Sequence, residues 1–231
     1  MTLVTQPYVL MMDDDILLEP GCLQALWEVM EADPRLGGVT ATIVNETYTT
    51  PGTSTLRLLR WLDDGRERQT YAGSCIGPAM TFWPAIHEDG PTAVAIDWMS
   101  TGCSLFRSNL LPQPPFPEVF VGPSPCEDLA LSLTIGRHAT LAQATRAKCT
   151  HLRGLDSPPP SLRPMAKLEA LNRCHIMTAI QGSNHPSDYL KLAAALAFRI
   201  LGTLRQKGLG SALQVATGYL HGAFSWVART R

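Results

Sequence analysis

Tyr8-Val9-Leu10-Met11-Met12 is an apolar run that ends abruptly in three consecutive carboxylates, Asp13-Asp14-Asp15. No other stretch of the chain constrains the fold as much. A short apolar run bounded by polar residues reads as a buried strand. Like charges packed this closely repel one another and raise carboxyl pKa values, and a divalent cation with a taste for oxygen, magnesium or manganese, relieves that repulsion. Strand ends in open α/β sheets are also where ligands gather. Side chains alternate along extended backbone, so Asp13 and Asp15 face one way and Asp14 the other. Two readings stay open at this point: a cation site built on Asp13 and Asp15, or a solvated acidic turn that caps the next helix.

The residues that follow alternate between strand and helix signals. Glu19-Pro20-Gly21 opens a helix, with Pro at a tolerated first-turn position and Leu23, Leu26, Trp27 and Met30 as its apolar face. Asp33-Pro34 and Gly37-Gly38 stop it, and Val39 to Val44 reads as the next strand. Residues 45–91 hold the weakest signals: a helix capped by Ser54 and running through Leu62, with Leu56, Leu59 and Leu62 inward, then Gly and Pro interruptions among Tyr71, Phe82 and Trp83. Strands are expected at 93–97, 103–106, 139–144 and 148–152, with a proline-rich loop at 112–125 and a helix at 126–136. Ser157-Pro158-Pro159-Pro160 reads as a boundary, beyond which helices are expected at about 162–181, 187–206 and 209–227. The fold class is therefore α/β: a mixed sheet flanked by helices over residues 1–156, and a helical region over 157–231.

Composition narrows the field. A formal net charge of −1 gives no global field for nucleic acid. The charge is unevenly placed, however: no acid follows Asp188, whereas Lys191, Arg199, Arg205, Lys207, Arg229 and Arg231 are all basic. Such a basic, apolar tail suits peripheral contact with an anionic membrane. No apolar run approaches the ~18 residues of a membrane span, and Met1 to Pro7 lacks the charged and apolar regions of a signal peptide. The six cysteines, at 22, 75, 103, 126, 149 and 174, form no CxxC pair and no zinc spacing with His. They are expected to be reduced, mostly buried thiols in a cytoplasmic protein.

Three further groups are candidates for chemistry. Glu127-Asp128 stands in the first turn of an expected helix, where acids suit the helix dipole, and where a carboxylate aimed into a cleft would serve as a general base. His151 ends a strand; a lone His is usually structural, but beside Asp13 and Asp15 its imidazole would complete a metal site. Asp97-Trp98, followed by Gly102, offers either a core tryptophan or an indole for stacking on a sugar ring.

Taken in order, the segments YVLMMDDDILLEPGCL, IDWMSTGCSLFR, FPEVFVGPSPCEDLALSL, AKCTHL and LNRCHIM resemble the family 2 glycosyltransferases with a GT-A fold, including galactofuranosyl- and rhamnosyltransferase-like members. The resemblance covers nearly the whole chain, least so residues 45–91. It implies that Asp13 and Asp15 hold a divalent metal (Mn or Mg), that Asp14 lies close to the nucleotide, that Asp128 is the catalytic base with Glu127 near the acceptor, and that His151 is a third metal ligand. Asp97, Trp98 and Gly102 would line the acceptor side, and Asn172-Arg173 loosely matches a pair on the following helix. The implied reaction is inverting transfer from a nucleotide-sugar donor to a glycan or lipid-linked acceptor. In the family the Asp motif follows about a hundred residues of nucleotide-binding βαβ units; here it begins at residue 13. The resemblance thus implies a chain lacking most of that half, with weak donor binding on its own. The alternatives are a non-catalytic remnant or partner subunit of such an enzyme, and an isoprenoid synthase, whose helical acidic motif fits poorly with the strand before Asp13.

Overall fold

In the computed structural model, which describes residues 4–46, 48–84, 90–152 and 161–230, a mixed sheet is flanked by helices and followed by a long helical region. The chain begins with β1 (Tyr8–Met12) and β2 (Ile16–Leu18), then α1 (Cys22–Ala32) and β3 (Leu36–Ile43). A helix α2 (Thr53–Leu62) and a small hairpin of β4 (Cys75–Ile76) and β5 (Met80–Thr81) precede β6 (Ala93–Ile96) and β7 (Cys103–Arg107). Next come α3 (Glu127–Ile135) and β8 (Thr140–His151). The chain ends with α4 (Leu162–His175), a short π-helical turn (Ile176–Ile180) and α5 (Pro186–Thr230), which is broken at Gly208. The expected boundary at Ser157 to Pro160 lies outside the described residues.

The sheet order is β1-β7-β3-β8-β2, with β6 also paired to β8. β7 runs antiparallel to both β1 and β3, while β3 and β8 are parallel. β1, β3 and β8 therefore point the same way, and their C-terminal ends share one rim of the sheet. The chain leaves β1 at one edge and re-enters as β2 on the far side of β8, so the Asp13-Asp14-Asp15 turn crosses that rim.

The core explains several departures from the expectations above. β1 is an edge strand: among the described residues it pairs only with β7, and while Val9 and Met11 pack against the core around Phe106, Leu10 and Met12, on the face shared with Tyr8, are exposed. α1 presents Cys22, Leu26, Val29 and Met30 to the sheet, leaving Leu23 and Trp27 exposed. Its start also shifts: Gly21, at φ 82°, is the N-cap residue, so Pro20 stands outside the helix. Gly37 and Gly38 do not end anything but lie inside β3, where a Cβ would come within 2.7 Å of Ala139 Cβ or 2.8 Å of Met99 Cε. They admit the close approach of neighbouring chain that larger residues would block. α2 is preceded by Gly52 rather than capped at Ser54, and it buries Leu59 and Leu62 but not Leu56. The two strands expected at 139–144 and 148–152 are one, β8, with a register shift against β3 between Ala41 and Thr42.

Arg107 ties the edge to the core. Its guanidinium donates to the carbonyls of Leu36 (2.8 Å) and Met30 (2.9 Å) and to the Tyr8 hydroxyl (2.8 Å). The helical region attaches by small residues. Ala166 and Ala170 of α4 face Gly218 and Gly222 of α5, where an added Cβ would come within 2.4 Å of the Arg163 carbonyl oxygen and 2.5 Å of the Lys167 carbonyl oxygen. No described helix is long and apolar enough to cross a membrane.

Candidate active site at the C-terminal rim of the sheet

Asp13, Asp15 and His151 meet at this rim, with one ligand atom from each lying within 4.8 Å of the others. Each is placed by backbone. The Asp13 amide donates to the Gly102 carbonyl (2.9 Å), continuing the β1–β7 ladder by one residue. Ile16 of β2 stands opposite His151 of β8, and the Leu152 amide donates to the Asp15 carbonyl (2.8 Å). Pairing thus draws the triplet onto the end of β8. His151 Nε2 lies 3.1 Å from Asp15 Oδ2. Asp14 is exposed at the middle of the turn. Burial, then the neighbouring Asp15 carboxylate, raises the pKa of Asp13.

A residue with no signal in the sequence completes the geometry. Glu46, buried just after β3, places Oε1 3.4 Å from His151 Nδ1, the ring nitrogen turned away from Asp15. Its neighbour Asn45 holds the backbone of the same histidine at both ends: Nδ2 donates to the His151 carbonyl (2.7 Å), and Oδ1 accepts from the His151 amide (3.0 Å). A carboxylate on one imidazole nitrogen fixes the ring and raises the basicity of the other, an arrangement common behind metal-ligating histidines. Only the parallel pairing of β3 with β8, which sets Ile43 opposite Cys149, brings residues so distant in sequence together.

Gly102 serves Asp13. A Cβ at Gly102 would stand 3.0 Å from Asp13 Oδ2 and 3.3 Å from Ser100 Oγ, so glycine leaves the carboxylate its space. Ser100 Oγ in turn accepts from the Gly102 amide at 3.2 Å.

Glu127 and Asp128 open α3 toward Asp13. Burial, followed by the charge of Asp13, raises the Glu127 pKa. Burial is also the main cause that pushes Asp128 up to about 6, with Glu127 and Asp13 adding to it against the hydrogen bond its Oδ1 accepts from the Leu129 amide (2.7 Å). The residue before them, Cys126, is in the left-handed region at φ 72°, a conformation costly for a residue with a side chain and frequent near functional sites. α4 holds it there. Asn172 Nδ2 donates to the Pro125 carbonyl (2.8 Å), and the buried Arg173 bonds Glu169 Oε1 (2.9 Å) and the Ala79 carbonyl. Asn172 thus buttresses the loop that delivers Glu127 and Asp128, while Arg173 ties α4 to the chain at Ala79.

The Asp97-Trp98 expectation needs correction. β6 runs antiparallel to β8 with Ile96 opposite Leu141, so the chain leaves it at the end of β8 remote from His151. There Asp97 Oδ2 accepts from the Cys75 amide (2.9 Å) and faces Arg68 at 3.7 Å. Trp98 is 5 % exposed, packed against Ala79, Leu129, Ala130 and Ile176, with Nε1 donating to the Phe82 carbonyl (3.0 Å). Its indole has no free face for a sugar. Trp83, with ring centroid 5.2 Å from that of Trp98, is exposed and shares a small cavity with Glu46 and Ser100, on the rim side of the molecule.

Scans against protein families and against curated proteins return no match. Among solved structures, the chain is similar to a mannosyltransferase from Pyrobaculum calidifontis in complex with GDP-Man and Mn2+, at 15 % identity and a TM-score of 0.43. The match covers 99 % of this chain and 63 % of that one.

Proposed function

We propose that the chain carries the metal and acceptor side of a GT-A-type, family 2-like glycosyltransferase, which transfers a sugar from a nucleotide-sugar donor to a glycan or lipid-linked acceptor. The observation that carries this reading is the convergence of Asp13, Asp15 and His151 on a rim onto which Glu127 and Asp128 also open. The donor set fits a divalent cation: two hard carboxylate ligands, whose mutual repulsion a cation would relieve, and an imidazole oriented from behind by Glu46. When bound, manganese or magnesium would neutralise charge developing on the departing nucleoside diphosphate.

The chain's own residues have separable tasks. Asp13 and Asp15 hold the cation, and His151 does so in the orientation fixed by Asn45 and Glu46. Asp14 lies toward the nucleotide and Glu127 toward the acceptor. Asp128 takes the proton of the acceptor hydroxyl as that oxygen attacks the anomeric carbon, while the bond from that carbon to the diphosphate oxygen breaks with inversion. A carboxyl pushed up to about 6 is still ionised at neutral pH, yet more basic than an ordinary aspartate. Residues 1–156 form the catalytic part and 157–231 a helical region that supports it, acting at the cytoplasmic face of the membrane.

Transfer of labelled sugar from a panel of nucleotide sugars, with Mn2+ supplied, tests the reading. Turnover by the wild type that is lost in Asp128→Asn and in Asp15→Ala is the expected result. Undiminished turnover in Asp128→Asn would remove the proposed base.

A further inference from the structure

α4 and the two arms of α5 line a cleft of about 680 Å³, within the size range of small-ligand sites. The break at Gly208 lets the arms meet. Arg199 Nε of the first arm donates to the Tyr219 hydroxyl of the second (3.2 Å), and Leu196 and Ile200 pack on the same cluster as Val215 and Tyr219. The lining is of two kinds. Leu162, Met165, Phe198 and Val215 are apolar, and Phe198 is exposed. Arg199, Thr203, Gln206 and Lys207 stand at spacings of four, three and one, which sets them along one face of the first arm.

The cleft carries an excess of positive charge. Glu169 is the one acid among the described residues that line it, against Arg173, Arg199 and Lys207. Its Oε1 accepts from Arg173 (2.9 Å) and lies 3.2 Å from Arg199 Nη2, and its Oε2 accepts from the Tyr219 hydroxyl (2.8 Å). Burial opposes the charge of Glu169, but Arg173 and then Arg199 outweigh it and lower the pKa, so the carboxylate is ionised. Burial pushes the Tyr219 hydroxyl up to about 12, so it stays neutral. One carboxylate thus serves two guanidiniums, and Lys207 adds a third cation at an exposed position. Arg199 and Lys207 are eight residues, about 12 Å of helix, apart, a span that two long side chains close around one multi-oxygen anion. The aliphatic lining beside them suits a hydrocarbon chain. We propose that the cleft binds an amphiphile with a phosphate head, the head held by Arg199 and Lys207 and the chain laid against Leu162, Met165, Phe198 and Val215. Cys126 also lines the cleft and directly precedes Glu127, so the bound molecule lies beside the loop that delivers Glu127 and Asp128. The binding itself does not depend on the glycosyl-transfer reading.

Calorimetric titration of the full chain with decyl phosphate below its critical micelle concentration tests it, without metal or nucleotide sugar and beside decanol, inorganic phosphate and uridine diphosphate. The wild type should bind decyl phosphate saturably, about tenfold or more tightly than any of the other three, because only it uses both the cations and the apolar lining. Arg199→Gln should weaken decyl phosphate about tenfold and leave decanol unchanged. If that substitution disturbs the Glu169 network and the fold with it, Lys207→Gln, at an exposed position, should give a smaller loss of the same kind. Phe198→Ser should weaken decyl phosphate and decanol alike, through lost apolar contact. Three results would overturn the proposal: no saturable binding of decyl phosphate by the wild type, wild-type affinity in folded Arg199→Gln and Lys207→Gln, or inorganic phosphate or uridine diphosphate bound as tightly as decyl phosphate. None of these readouts involves sugar transfer, so a failure here leaves the catalytic reading to its own test.

Discussion

The rim of the sheet and the α4–α5 pair solve opposite problems. At the rim, charged groups are forced together: Asp13, Asp15 and His151 within 4.8 Å, with Glu46 behind the histidine and Glu127-Asp128 opposite. In the helical pair, small residues meet: Gly218 and Gly222 pack on Ala166 and Ala170 because nothing larger fits. The rim contains local conflicts, like-charge crowding and a left-handed Cys126, that a stable domain has no structural reason to keep. The helical contact instead pairs the charges it buries, Glu169 with Arg173 and Arg199. Conflict concentrated in one place and relaxed packing in another is what distinguishes a site from its support.

The largest effect expected to break this contrast falls on the metal ligands. Asp13→Ala and Asp15→Ala should each abolish sugar transfer and weaken Mn2+ binding beyond detection in a titration followed by the signal of free Mn2+, while thermal unfolding stays near that of the wild type. A large loss of stability instead would assign the carboxylates to the fold.

Asp128→Asn should lower turnover by about 10²- to 10⁴-fold and leave Mn2+ binding intact. Because the base acts when deprotonated, wild-type activity should rise with pH through about 6. The same raised pKa has a stability consequence. A carboxyl whose folded pKa lies above its unfolded value stabilises the fold below the unfolded value, near 4, and that contribution is lost as pH rises through about 6. Asp128→Asn should therefore raise the melting temperature at pH 7.5 relative to the wild type and change it little at pH 4. A lower melting temperature at neutral pH would contradict a carboxyl whose ionisation is opposed by burial.

How much of this was legible in the sequence divides along the same line. Strand β1, the Asp triplet, helix α3 with its Glu-Asp start and the three helical stretches of the C-terminal region follow from local patterns. Periodicity and turn residues report directly on a few successive positions. Facts that depend on which strands become neighbours are not local. The edge position of β1, the fusion of two expected strands into β8 and the rotated face of α1 all depend on sheet order. Trp98 reads more readily as core than as a sugar platform, and which it is becomes visible only when Ala79, Leu129 and Ile176 are seen to close over it. Glu46 has no motif at all, since its task exists only once β3 and β8 lie side by side.

Glu46→Ala should weaken Mn2+ binding about 10- to 100-fold through the misoriented histidine, with Glu46→Gln, which keeps an oxygen for Nδ1, recovering part of the loss. Equal losses in both variants would assign Glu46 to folding rather than positioning. A smaller effect is expected at the helical pair. Gly222→Ala should cost about 1–3 kcal/mol by overpacking, visible as a lowered melting temperature, and leave the Mn2+ affinity unchanged. A shift in that affinity would mean that the support and the site are not separable.

The central claim is that Asp13 and Asp15 form one cation site with His151, which lies 136 residues beyond Asp15. Mn2+ titration of His151→Ala, read by electron paramagnetic resonance beside the wild type and Asp15→Ala, tests it most directly. The wild type should bind one ion, and both variants should lose affinity while remaining folded. Wild-type affinity in His151→Ala would contradict the account, since the histidine at the end of β8 would then be no part of the site that the Asp triplet builds.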